Sequence, residues 1–248
     1  MRKADMATLL SRQIKKIEKK ESKGQLGQWR RSFCKTYPEL LVEIRRHTHQ
    51  SLTATLAEKG EQITCRKGCT YCCHHYVTVS LAHGIAIVDF LYQHGQRLRE
   101  FISSYEKWHE GGYAIAAGID HERLQAQASH MPVDRVLRDT RPLSAHYLDM
   151  NIPCSFLAGD ICSIYDVRPL SCSGHYAISP PADCAPNSPQ PPTVHHLIPQ
   201  DRDLMQLVRL ADARLAIYEL SLPIMIHRLL HEGSAVLMDE AVQHDAQL

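Results

Sequence analysis

Most of the features that announce a function are missing from this sequence. Aromatic residues are only 6% of its 248 positions, which leaves any platform for stacking bases sparse. There is no run of about 18 apolar residues, so no transmembrane helix is predicted. The N-terminus carries charge with no apolar stretch behind it, which does not read as a secretory signal. A glycine loop for phosphate, a G-x-S-x-G elbow and an H-E-x-x-H zinc-hydrolase pattern are all absent. A cytoplasmic address follows. Excess charge is small too, at +1 overall, but it is unevenly spread. Residues 1–35 hold eleven Lys or Arg against three acids, which leaves the rest of the chain at −7. Such a basic arm suits an acidic partner. No aromatic interleaving or nucleic-acid motif accompanies it, so a solvated helix face is the plainer reading.

What the chain does have is cysteine. Cys65, Cys69, Cys72 and Cys73 stand within the nine residues CRKGCTYCC, and Cys154, Cys162, Cys172 and Cys184 follow at wider spacing. In a reducing compartment this density points to metal or redox chemistry rather than to a disulfide scaffold. Thiolates select zinc, copper(I) or iron–sulfur clusters. Cys69 and Cys72 have the C-x-x-C spacing that wraps one ion, and Cys65 lies four residues earlier. Gly68 lets the loop turn backbone amides toward sulfur. In the second stretch the gaps are too long for one turn, so each cysteine arrives on its own loop. Eight thiolates allow two four-ligand sites, or one cluster with spare cysteines. Cys34 stands alone and reads as a small buried residue. His74, His75 and His175 lie beside the cysteines and can replace a thiolate; His195 and His196 are weaker candidates. Arg168 can offset thiolate charge or hold an anion, or else form a salt bridge with Asp166. Tyr165 reads as an aromatic cover.

Around these loops the pattern is mostly α, with little β. Apolar spacing predicts a helix over 5–20, and another from Pro38 to about Glu58, stopped by Gly60. Tyr76 to Val79 reads as extended, and Ser80 as the cap of a helix from Leu81 to about Tyr92. Helical spacing returns over 96–109 and 119–130, then between Pro132 and Pro142. Residues 186–192 read as a proline-rich strap. Another helix is expected over 203–230, kinked by Pro223, and a short one over Ala235–Val242. The implied organisation is a basic helical extension over 1–60, a cysteine-cluster domain over 61–190 and a C-terminal helical segment over 191–248.

The runs C-x-x-x-C-x-x-C-C and P-C-x-F-L-x-G-x-x-C-x-I-Y-x-x-R-P-x-x-C resemble the YkgJ-type cysteine-cluster family of zinc- or iron-chelating proteins. The resemblance spans Cys65 to about Cys184. It implies that the eight clustered cysteines are metal ligands, for an iron–sulfur cluster in first place or for zinc. A more distant similarity to flagellin lysine N-methylases implies S-adenosylmethionine-dependent protein modification as an alternative, beside a zinc-stabilised interaction module. Two positions depart from the family pattern: Ser173 stands where arginine is common, and His83 where glutamate is common. Cys65, Cys69 and Cys72 also match the radical-SAM spacing, without the βα barrel that chemistry requires.

Overall fold

The centre of the molecule is a helix with almost no polar face, Leu81–Gln93. Every residue from Leu81 to Val88 is buried, and Leu91 with them. A helix that is apolar all round has to be enclosed by others. Its start matches the sequence reading: the Ser80 Oγ accepts a hydrogen bond from the His83 N–H at 3.3 Å, which satisfies one of the free donors of the first turn.

A computed structural model describes residues 26–196, 215 and 218–246. In chain order the elements are α1 (Leu26–Glu58), β1 (Thr78–Ser80), the central helix α2, α3 (Gly95–Ala128), α4 (Val133–Asp149), β2 (Leu157–Ala158) and β3 (Ile161–Cys162). Then come α5 (Leu170–Ser173), β4 (His175–Ala177), β5 (Val194–His196), β6 (Glu219–Ser221), α6 (Leu222–His231) and α7 (Ser234–Asp245). The fold is mostly α. Its strands form three two-stranded antiparallel pairs, β1 with β6, β2 with β3 and β4 with β5.

Helices α1, α3 and α6 pack on α2. From α1, Phe33, Tyr37, Leu41 and Ile44 enter the same core cluster as Met225 and Ile226 of α6 and Leu237 of α7. Gly84 lets α2 and α6 approach closely, since a Cβ there would lie 2.8 Å from Leu229 Cδ1 and Met225 Cγ. Cys34 is buried, as expected, and its thiol points to the Ile85 carbonyl at 3.9 Å.

Four helix boundaries differ from the sequence reading. First, α1 is already helical at Leu26, the first described residue, and carries Pro38 inside it. The apolar face continues on both sides of the proline, through Tyr37 and Leu41, and that burial outweighs one missing backbone bond. Second, the two helices expected over 96–109 and 119–130 are one helix, α3. Gly112 sits inside it because Trp108 lies over it: a Cβ would come 2.9 Å from the indole Nε1. That nitrogen donates to the Tyr147 hydroxyl at 2.7 Å, tying α3 to α4. Third, Pro142 lies within α4 instead of ending it. Fourth, Glu219–Ser221 is a strand, with Leu220 paired to Val79. Pro223 then falls in the first turn of α6, where its missing N–H has no partner to lose. The helix predicted over 5–20, and residues 203–214, 216 and 217 of the expected later helix, lie outside the described residues.

Candidate metal centre

The first cysteine loop is shaped by two tight turns. Gly68 takes a positive φ of 91°, a conformation that suits glycine, and the Cys69 N–H bonds back to the Arg66 carbonyl at 3.0 Å. A single 3₁₀ turn over Tyr71–His74 follows and carries Cys72 and Cys73. In the second stretch, Gly159 (φ 60°) turns the β2–β3 hairpin that holds Cys162 opposite Leu157. Pro169 starts the short helix α5, which carries Cys172. A 3₁₀ turn over Pro181–Cys184 packs against the one over Tyr71–His74.

Backbone hydrogen bonds clamp the two stretches together. The Cys154 N–H donates to the Cys73 carbonyl at 2.8 Å, and the Thr64 N–H to the Ala177 carbonyl at 2.9 Å. The Ala177 N–H donates to the Cys65 sulfur at 3.0 Å. Above them, Arg45 of α1 donates to the Asp166 carbonyl at 2.8 Å. His83 Nε2–H donates to the Val167 carbonyl at 2.8 Å.

Cys72 is the common neighbour of the cysteines. Burial pushes the Cys154 thiol up to about 12, and the nearby Cys162 and Cys72 raise it further. Cys172 rises for the same reason, burial first and then Cys72. Cys162 is also raised mainly by burial, with Cys72 adding to it. Cys184 is pushed up to about 11 by burial, then by Cys65, Cys72 and Cys69. Cys65 is raised by burial and by Cys69 and Cys72. Cys72 itself goes the other way, to about 7, because the Cys73 thiol hydrogen-bonds to it and Arg168 lies near. Cys73 is correspondingly raised by sharing that bond. Cys72, Cys73, Cys154, Cys162 and Cys172 line one small cavity, while Cys65, Cys69 and Cys184 are electrostatic neighbours of one another and of Cys72.

Arg168 is the cation of this neighbourhood. Its guanidinium stacks on the Tyr165 ring, with Cζ 4.0 Å from the ring centre. It lowers the thiols of Cys72, Cys162, Cys172 and Cys65 against the effect of burial. Among the described residues it forms no salt bridge with Asp166. The His75 and His175 rings lie 5.5 Å apart beside the cysteines. His74 Nδ1 is buried without a hydrogen-bond partner. His195 sits in β5 opposite Tyr176.

The small cavity has a volume of about 20 Å³ and is lined by Cys72, Cys73, Cys154, Cys162 and Cys172 with Arg168. That is room for about one small sphere. Among the described residues, no three His, Cys, Asp or Glu side chains stand in an arrangement that can hold a metal ion. All nine cysteines are free thiols. Backbone bonds bring cysteines of the two stretches together, but the sulfurs do not converge on one point. No family model, curated protein or solved structure matches this chain.

Sequence reading missed two features. One is Cys72 as the common neighbour, because spacing along the chain says nothing of which loop folds back on which. The other is a large cavity against Cys72 and Cys172, with Arg123 and Arg141 on its wall. These arginines come from α3 and α4 and belong to no local motif.

Proposed function

We propose that this chain is a metal-binding protein of the YkgJ type, holding a soft metal centre through its clustered cysteines. The observation that carries the reading is the gathering of eight cysteines, from two distant stretches, around Cys72 with Arg168 as nearby cation. Thiols whose pKa is raised by burial are costly to ionise alone. A metal cation supplies the compensating charge, and its binding releases their protons.

An iron–sulfur cluster is the first form of this centre. Loop-delivered thiolates and the adjacent Cys72–Cys73 pair suit several irons better than two separate C-x-x-C turns. The space between the inner thiols is small, and Cys72 and Cys172 border the larger cavity as well. Zinc in a stabilised interaction module is the second form. S-adenosylmethionine-dependent modification rests on the distant resemblance alone. Nine free thiols suit a reducing, cytoplasmic setting. No helix among the described residues is long and apolar enough to cross a membrane. An acidic partner for the basic arm belongs to the same reading, and residues 1–25 of that arm lie outside the described ones.

The test is metal and acid-labile sulfide content of protein purified without oxygen, wild type beside Cys69→Ser/Cys72→Ser. Iron with sulfide in the wild type and neither in the variant is the expected result. Zinc without sulfide replaces the cluster with an ion. Equal metal in both proteins removes these cysteines from the ligand set.

A further inference from the structure

The cavity beside the cysteines has a volume of about 730 Å³, within the range of small-molecule sites. Cys72, Cys172, His75 and His175 are among its lining residues. Cys72, Cys172 and His75 also line the small cavity among the thiols, so these side chains separate the two spaces. A structural metal site is closed on all sides, whereas a reactive one keeps a face open to a substrate. The wall formed by α4 is ordered along one stripe. Leu137, Arg141, Ser144 and Leu148 line the cavity at helical spacing, which sets a cation and a hydroxyl between two apolar side chains. Val77 and Val194 extend the apolar lining.

The two cations differ in how they are balanced. Arg123 donates to Glu219 Oε2 at 3.2 Å, so its charge is largely countered. No acid among the described residues pairs with Arg141. We propose that this cavity binds a small organic anion with an apolar body, its anionic group on Arg141 and Ser144 and its body between the α4 stripe and the residues Cys72 and Cys172. The cavity is thus the substrate side of the centre, and that last step rests on the proposed metal binding.

The experiment is calorimetric titration of the full chain with 4-phenylbutyrate and with its neutral amide. Metal content is measured on the same samples. The acid should bind at least about tenfold more tightly than the amide, since a charge-assisted hydrogen bond carries that much. Arg141→Glu should remove that preference. Ala145→Trp, at an exposed position on the cavity wall, should abolish binding of both, with thermal melting as wild type. Equal affinity for acid and amide, no binding to the wild type, or an acid preference that survives Arg141→Glu overturns the proposal. Metal-free protein that still binds the acid sinks the metal centre and leaves the cavity. Metal-loaded protein that ignores the acid sinks the cavity and leaves the centre.

Discussion

Residues 65–78 and 81–93 are neighbours in sequence and opposites in what holds them in place. Helix α2 is enclosed by carbon: its residues are buried against α1, α3 and α6, and each large side chain there contributes about 1.5–3 kcal/mol by leaving water. The cysteine loop before it has almost no buried apolar residue. It is held by backbone bonds to the second cysteine stretch and by its thiols. The comparison teaches that one segment is fixed by apolar burial and its neighbour by backbone bonds to a distant stretch; if the proposed metal is present, the second should depend on it and the first should not. His83 spans the two, reaching from α2 to the Val167 carbonyl.

The largest expected effect follows from metal removal. Chelation under reducing conditions should strip amide-exchange protection from residues 64–78 and 154–186 and leave α2 and α6 protected. Structural metal binding supplies on the order of 10 kcal/mol in small domains, so the loss should be near complete. Uniform loss across the chain would break the contrast between the two regions. Next in size, Trp108→Ala should cost about 3–5 kcal/mol in denaturant unfolding, because it empties a fully buried site and removes the bond to Tyr147. Its metal content should match wild type.

His83 tests the join between the regions. Burial lowers its pKa to about 4, against a hydrogen bond to Val167 that raises it. The folded state thus binds its proton less tightly than the unfolded one. The stability tied to neutral His83 is fully present above about pH 6.5 and is lost as pH falls toward 4, on the order of 3 kcal/mol in all. Asp120 works in the opposite sense. Burial raises it to about 6, so its contribution is present at low pH and fades as pH rises through 6. The His83 component is therefore read as wild type minus His83→Gln, and a difference that stays flat between pH 6.5 and 4 contradicts it. The smallest effect belongs to the exposed Arg135–Asp139 pair, 3.6 Å apart. Asp139→Ala should change stability by less than about 0.5 kcal/mol.

The readable parts of the chain were those fixed by local chemistry. Ser80 caps its helix because a hydroxyl next to free N–H groups has one good use, and Gly60 ends α1 with a positive φ of 71°. The eight cysteines were legible as a group by composition and spacing. Pro38 and Pro142 misled because an apolar face continuous across a proline overrides its local penalty. The β1–β6 pair was invisible, since three residues at Thr78–Ser80 meet partners near the far end of the chain. The cavity was invisible for a similar reason: Arg123, Arg141 and Cys172 have nothing in common until the helices are packed.

The central claim is that the clustered sulfurs ligate a metal. X-ray absorption at the metal edge, on protein purified without oxygen, tests it most directly. The account predicts a shell dominated by sulfur, near about 2.3 Å for thiolate ligands. A shell of nitrogen and oxygen alone, or protein with no metal to absorb, would contradict it.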